Sequence, residues 1–87
     1  MEKSDYLKQL DEILTLDFIP CESSNIEGYA YNTEKKQLWI AFKKDQVYCY
    51  KDVPHEIADE LHHAESKGKY HSKNIKGKYD YEGYKLI

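Results

Sequence analysis

The segment of residues 67–79 holds the side chains best suited to binding chemistry. Its sequence, KGKYHSKNIKGKY, contains five lysines, one histidine and two tyrosines, and no acidic residue. A short helix from about residue 69 to 75 places three ammonium groups on one face, those of Lys69, Lys73 and Lys76. Ammonium groups and the free backbone N–H groups of a helix start both stabilise phosphate. The segment predicts a phosphate site; the alternative is a solvated lysine-rich face.

Tyrosines accompany these lysines and supply aromatic surface. Tyr70 and Tyr79 offer ring faces for a nucleobase, and stacking is worth about 1 to 3 kcal/mol per base in single-strand binders. Tyr48 and Tyr50 share one face of a predicted strand, because side chains alternate along a strand. They either line a pocket or, as such pairs more often do, pack in the core with wet hydroxyls. Lysines and tyrosines together favour a ligand that is anionic and flat.

The other polar residues do not form a catalytic or metal-binding motif. Ser24 and Asn25 offer hydrogen bonds to a ligand, although such runs commonly cap or turn the chain. His55 and His62 are seven residues apart on a predicted helix, too far to chelate one ion alone, and no HExxH or Cys/His spacing occurs. Neither GxSxG nor a Gly-rich phosphate loop is present. We therefore predict a binding protein that is not an enzyme, with no metal and no cofactor.

The charge distribution favours a small ligand over a long polyanion. Residues 1–34 hold two lysines against eight acids, net −6, and residues 35–87 hold eleven lysines against eight acids, net +3. The acidic half repels a long duplex across a Debye length of about 8 to 10 Å. Because the chain has no arginine, side-chain contacts to phosphate come from lysine, whose ammonium group acts as a point charge and cannot make a bidentate contact. A small phosphate ligand in a local basic pocket fits this distribution better.

The elements that position these residues are predicted from hydrophobic periodicity, which is clearest in QLWIAFKKDQVYCY near the middle of the chain. It is typical of a β-hairpin around a polar turn. A two- or four-residue loop pairs Phe42 with Val47. A three-residue loop pairs Ile40 with Tyr48 instead, and drives the rings of Tyr48 and Tyr50 into the core. The sequence leaves the register open.

Further elements complete an α+β fold. Residues 26–32, IEGYAYN, predict a strand that makes the hairpin a three-stranded antiparallel meander. Two C-terminal helices pack on it, one starting at Pro54 and ending near Gly68, the other ending at Gly77. Residues 4–16 predict an amphipathic helix that docks on the sheet or on a second copy of the chain, which would make a homo-oligomer.

Two stretches extend this prediction. The small residues Gly28 and Ala30 share the face of their strand opposite its tyrosines, and would let a helix or a ligand approach the backbone closely. The tyrosines of the tail, including Tyr81 and Tyr84, are spaced as in a short strand or an ordered extension. We expect a helical extension over residues 1–20.

Composition sets the class of protein. At 87 residues there is room for one domain with a small core, and nine tyrosines outnumber two phenylalanines and one tryptophan. Cys21 and Cys49 form no CxxC pair, which is typical of a reduced cytosolic protein. No apolar run approaches the roughly 18 residues of a membrane span, and the N-terminus is too charged for a signal peptide. We expect a cytoplasmic protein with no membrane contact.

These features together resemble the KTSC family, a short domain named for its place at the C-terminus of some lysyl-tRNA synthetases and also found alone in bacterial and viral proteins. The resemblance covers about residues 21–86 and leaves the N-terminal helix as an addition, so we expect a KTSC-like domain over residues 21–87. It departs from the family at Asp45, where the family tends to have Gly in the hairpin turn. The residues that carry the resemblance are Ser23, Ser24, Asn25, Ile26, Tyr31, Leu38, Ile40, Phe42, the YxY motif Tyr48-Cys49-Tyr50, Val53, Pro54, Ala64, Ser66, Gly68, Tyr70, Ile75 and Tyr79.

The predicted function is non-catalytic binding of a nucleotide-type phosphate ligand, with lysines on the phosphate and tyrosines on the base. A chain this small would hold or sequester a small nucleotide signal, for example in a viral protein that opposes host defence. The alternatives are RNA binding, which the synthetase context of the family implies, and a protein-interaction or dimerisation module acting through the N-terminal helix. The predicted ligand-binding residues are Lys69, Tyr70, Lys73, Lys76, Tyr79, Tyr48, Tyr50, Ser24 and Asn25.

Overall fold

A five-stranded antiparallel sheet forms the centre of the structure, a computed structural model that describes residues 2–85. The strands follow one another across the sheet in sequence order. The ends of the predicted KTSC-like domain, Leu86 and Ile87, lie outside the described residues. The elements in chain order are α1 (Asp5–Leu14), β1 (Ile19–Pro20), β2 (Ile26–Asn32), β3 (Gln37–Phe42), β4 (Gln46–Tyr50), α2 (His55–His63), α3 (Lys67–Asn74) and β5 (Tyr81–Lys85).

The predicted three-stranded meander corresponds to β2, β3 and β4, and the structure adds a strand at each edge. β1 has only two residues, and it pairs with β2 so that Ile19 lies opposite Tyr29. Pro20 is tolerated in β1 because an edge strand can spare a backbone donor. β5 pairs with β4 and places Tyr81 opposite Tyr50. The predicted number of strands was therefore too low, although the α+β class is correct.

The β3–β4 hairpin adopts the three-residue register. Ile40 lies opposite Tyr48, and the loop contains Lys44 and Asp45 with φ angles of 73° and 60°. Aspartate is one of the few residues besides glycine that occupies this left-handed region without a large penalty. As predicted for this register, Tyr50 turns into the core, where it is 2% exposed. Tyr48 is half-buried.

Helix α1 packs on one face of the sheet. Ser4 caps the helix by accepting a hydrogen bond from the Leu7 N–H, and the side chains of Leu7 and Leu10 are buried. A Cβ at Gly28 would lie 2.8 Å from Leu7 Cδ1, so this glycine lets the helix approach β2. Of the two docking alternatives, the structure shows the chain's own sheet. Oligomerisation through the helix stays a prediction, and Ile13, 62% exposed, is the apolar side chain left for it.

Helices α2 and α3 cover the opposite face, with Leu61 and Ile75 fully buried against the sheet. The structure corrects the predicted bounds, since α2 ends at His63 and Gly68 does not stop it. Gly68 instead lies in the first turn of α3, two residues after the N-cap Ser66. Between residues 2 and 85 the chain has no helix with the length and apolar character that crossing a membrane requires.

Candidate ligand-binding cleft

A cleft of about 520 Å³ opens where the hairpin, the start of β2, the end of α3 and the start of β5 meet. We call it the aromatic cleft. Its position follows from the three-residue register, because that register turns Tyr48 and Tyr50 toward the α3 side of the sheet. The residues that line it are Ser24, Asn25, Phe42, Lys43, Lys44, Gln46, Tyr48, Tyr50, His71, Ser72, Lys76, Gly77 and Tyr81.

Five aromatic rings contact one another along the wall of this cleft. Tyr48 and Tyr81 are stacked, with ring centroids 4.9 Å apart and planes 16° apart. Phe42 meets Tyr48 edge-on at 5.0 Å and His71 edge-on at 5.2 Å. Tyr50 lies 5.5 Å from Tyr81. Stacked and edge-on pairs at these distances are stabilising, so the rings form a fixed apolar surface. Tyr81 is 53% exposed and presents this surface to solvent.

A buried hydrogen bond holds the inner end of the wall. The hydroxyl of Tyr50 lies 2.8 Å from Nε2 of His71, which is 4% exposed. Burial, and secondarily the charge of Lys76, lowers the pKa of His71, and burial raises the pKa of Tyr50 to about 12. Both groups are therefore neutral at pH 7. Nδ1 of His71 is also buried, and it has no hydrogen-bond partner among residues 2–85.

Three lysines, Lys43, Lys44 and Lys76, line the cleft, and no carboxylate is among the described residues that line it. Ion pairs to lysine within the described part of the chain involve Lys3 and Lys51, neither of which lines the cleft. The cleft ammonium groups are thus not neutralised by a salt bridge there. An anionic group in the cleft would meet positive charge without a competing carboxylate.

A second hollow continues from the aromatic cleft, and we call it the polar hollow. It measures about 510 Å³ and has no aromatic ring among its described lining residues. Ser24, Asn25 and Ser72 line both spaces, so the two lie side by side, and we call the pair the groove. The residues that line the polar hollow are Ser23, Ser24, Asn25, Ser66, Gly68, Lys69, Ser72 and Lys73.

Seven of the nine predicted ligand-binding residues line this groove. Lys69 and Lys73 lie in the polar hollow, and Lys76 lies in the aromatic cleft. Tyr48 and Tyr50 line the cleft, and Ser24 and Asn25 line both spaces.

Two predicted residues lie elsewhere. Tyr70 and Tyr79 are half-buried against the core cluster and line neither space. The Tyr70 hydroxyl donates to Glu60 Oε1 at 2.9 Å, and burial, followed by that carboxylate, raises the pKa of Tyr70 to about 12. For these two rings the structure shows packing on the protein and no place in the groove.

The start of α3 is less free than we expected. The Lys67 ammonium donates to the carbonyl oxygens of His62 and Ala64 at 3.0 and 2.8 Å. The N–H of Lys69 donates to the Ser66 hydroxyl. Side chains, rather than this helix terminus, therefore supply most of the polar groups in the hollow.

Sequence reasoning missed eight residues that line the cleft, namely Phe42, Lys43, Lys44, Gln46, His71, Ser72, Gly77 and Tyr81. Phe42, Lys43 and Lys44 follow from the hairpin register, which only the structure fixes. The sequence weakly indicated that His71 faces inward, because it precedes the buried Ile75 by four residues and so shares its helix face. Tyr81 was missed as a site residue because the tail was not assigned firmly to the sheet.

The described residues offer little to a metal ion. Among residues 2–85 no group of three or more His, Cys, Asp or Glu side chains lies close enough to hold one. A third hollow, of about 310 Å³, lies between β2 and α2, with Asp17, Asp59, His55 and His62 among its lining residues and no lysine in the described lining. Its carboxylates make it unsuited to phosphate.

Comparison with known proteins agrees with this architecture. The model of the KTSC domain family matches residues 22–79. A solved KTSC domain protein from Yersinia pestis is 29% identical, with a TM-score of 0.73 over 83% of this chain and 99% of that one. A lysine–tRNA ligase from Trichormus variabilis is 37% identical over 71 residues, and one from a Nostoc species is 34% identical. The matched segment covers 82% of this chain but only 13% of the length of these ligases.

Proposed function

This chain belongs to the KTSC domain family, and we propose that it is a non-catalytic module that binds a nucleotide-type phosphate ligand. One observation carries the proposal: a single cleft combines a wall of five aromatic rings with three lysines, and the described residues that line it include no carboxylate. Aromatic surface suits a base and ammonium groups suit a phosphate, so the two halves of a nucleotide both find a partner.

The base would stack on the wall. Tyr81 is half-exposed, and its contact with Tyr48 holds the ring in place before a ligand arrives. A ring that is already fixed loses little conformational entropy on binding. The amide groups of Asn25 and Gln46 lie beside the rings in the same lining, and amides both donate and accept hydrogen bonds at a base edge.

The groups in the cleft favour holding a ligand over reacting with it. His71 is neutral and buried, and its Nε2 is already bonded to Tyr50. Tyr50 does not ionise near neutral pH, because its pKa is raised to about 12. Burial also raises the pKa of the Cys21 and Cys49 thiols, which disfavours the nucleophilic thiolate. We therefore propose that the protein holds a small nucleotide signal, the sequestering role that would serve a viral protein opposing host defence.

Matched tyrosine variants test the proposal. Tyr81→Ser removes a ring from the cleft, and Tyr84→Ser removes a similarly exposed ring of β5 that stacks on Trp39 instead. With wild-type protein and a panel of nucleotides, calorimetry should find binding. Losing the stacking of one base costs about 1 to 3 kcal/mol, so Tyr81→Ser should weaken nucleotide binding about 5- to 150-fold. Tyr84→Ser should leave the affinity unchanged.

Two results would contradict this. The first is that no nucleotide binds, and the second is that both variants weaken binding equally. Circular dichroism spectra and urea midpoints of the two variants serve as the control, since each substitution removes a ring from the same edge strand.

RNA binding is the second candidate, because the aligned relatives include ligases named for a tRNA substrate. Salt dependence separates the two functions. For single strands, the slope of log affinity against log salt is about −0.7 per phosphate contacted. A short RNA that binds more tightly than any mononucleotide, with a slope steeper than about −3, would favour the RNA function.

A further inference from the structure

The groove consists of two adjacent halves that differ chemically. The aromatic cleft holds all the rings, whereas the described residues around the polar hollow supply only hydroxyl, amide, backbone and ammonium groups. A ligand that fills both halves therefore has one flat apolar end and one end that is polar and anionic. Among residues 2–85, the lining of the hollow offers no ring on which a second base could stack.

Lysines of α3 and its end run along the groove from one half to the other. Lys69 and Lys73 are spaced i and i+4, so they lie on one side of α3, and Lys76, two residues after the helix ends at Asn74, continues the row. The first two line the polar hollow and the third lines the cleft. A single phosphate could contact one end of this row, whereas a chain of phosphates could contact its whole length.

The loop before β2 completes the polar side. Asn25 Oδ1 accepts a hydrogen bond from the Ser23 hydroxyl at 3.0 Å, which leaves the NH₂ group of the amide to donate to a ligand. A Cβ at Gly68 would lie 3.0 Å from that same Oδ1, so the glycine lets α3 approach this loop closely. The Asn25 amide and the ammonium groups of Lys69 and Lys73 consequently line the same hollow.

We propose that the ligand is a nucleoside polyphosphate, with its base in the aromatic cleft and two or three consecutive phosphates in the polar hollow. This inference rests on the proposed function. The phosphates pass Ser24, Asn25 and Ser72 and reach Lys69 and Lys73. An oligonucleotide fits less well, because each further phosphate brings a further base and the hollow holds no ring for it. The described lining includes no carboxylate to hold magnesium, so the lysines themselves balance the phosphate charge.

Calorimetry with a graded ligand series tests this inference. The probes are adenosine and guanosine and their 5′-mono-, di- and triphosphates, in EDTA so that the phosphates keep their charge. Affinity should rise about 1.5- to 5-fold with each added phosphate, the gain from one favourable exposed charge contact. The variant Lys69→Gln/Lys73→Gln should lose about 2- to 25-fold in affinity for the triphosphate and keep its affinity for the monophosphate. Lys35→Gln, an exposed lysine in the β2–β3 turn, is the matched control and should change neither.

The outcomes separate the inference from the proposed function. Equal affinity for mono- and triphosphate would overturn the inference and leave nucleotide binding in place. So would a double variant that still gains affinity with each phosphate. If inorganic triphosphate binds as tightly as the nucleoside triphosphates, or if no ligand in the series binds, the proposed function fails as well. An amide correlation spectrum of the double variant that matches wild type shows that its loss is not a loss of fold.

Discussion

Tyr50→Phe removes a single hydroxyl from the interior and isolates a buried imidazole. That hydroxyl lies 2.8 Å from Nε2 of His71, and the two residues are 2% and 4% exposed. Since His71 Nδ1 has no partner among the described residues, the variant leaves both ring nitrogens unpaired. An orphaned buried polar group costs about 1 to 3 kcal/mol. We expect the free energy of unfolding to fall by about 2 kcal/mol.

Tyr29→Phe is the matched control. The Tyr29 hydroxyl lies 2.7 Å from Nδ1 of His62, which is an equally short contact. His62 is exposed, so water can replace the lost hydroxyl. The expected loss is therefore only about 0.5 to 1 kcal/mol, the usual net contribution of one hydrogen bond.

Urea unfolding followed by circular dichroism measures both changes. With a slope of about 2 kcal/mol per molar urea, Tyr50→Phe should lower the midpoint by about 1 M and Tyr29→Phe by less than 0.5 M. Adding His71→Leu to Tyr50→Phe should cost less than the sum of the two single losses, because neither partner is then left unpaired. Equal midpoints for the two tyrosine variants, or a Tyr50→Phe protein as stable as wild type, would refute this reasoning.

Two further predictions concern packing and pH. Gly28→Ala should lower the free energy of unfolding by about 1 to 3 kcal/mol, because its Cβ would lie 2.7 Å from the Ile19 carbonyl oxygen and 2.8 Å from Leu7 Cδ1. An unchanged urea midpoint would show that α1 does not pack closely against β2. Because burial and then Lys76 lower the pKa of His71 in the folded state, the unfolded chain takes up the proton first, and stability should fall as pH drops below about 6.5. His71→Gln should flatten the curve of unfolding free energy against pH between pH 7 and 5.5, whereas substitution of the exposed His63, His63→Gln, should not. A wild-type curve that is flat in this range would contradict the lowered pKa.

The local hydrophobic pattern of the sequence predicted the helices and strands whose apolar residues recur at a regular spacing. Residues 26–32 form β2 as expected, and Ser4 caps α1. Helix α3 ends at Asn74, three residues before the predicted stop at Gly77, although Gly77 does adopt a left-handed φ of 78°. The hairpin register was not predictable, because it depends on the backbone of Lys44 and Asp45. Glycine at residue 45 would have indicated a left-handed turn, whereas aspartate there fits several turn types.

The cleft was harder to predict because it joins segments that are distant in sequence. Strand β5, YEGYK, shows no apolar alternation and all its described side chains are exposed, so only its pairing with β4 defines it. That pairing brings Tyr81 onto Tyr48. The lysine row and the tyrosines of β4 were found from the sequence, since charge and ring type are visible there. Which rings face the groove was not, because Tyr70 and Tyr79 differ from Tyr48 only in what packs against them.

The central claim is that a nucleotide occupies the groove between the hairpin and α3. A titration of ¹⁵N-labelled protein with guanosine triphosphate, followed by amide correlation spectra and by nuclear Overhauser contacts to the base, tests it most directly. We expect the largest shifts at Asn25, Gln46, Ser72 and Gly77, and contacts from base protons to the ring of Tyr81. Spectra that do not change, or shifts that gather around α1 on the opposite face of the sheet, would contradict the claim.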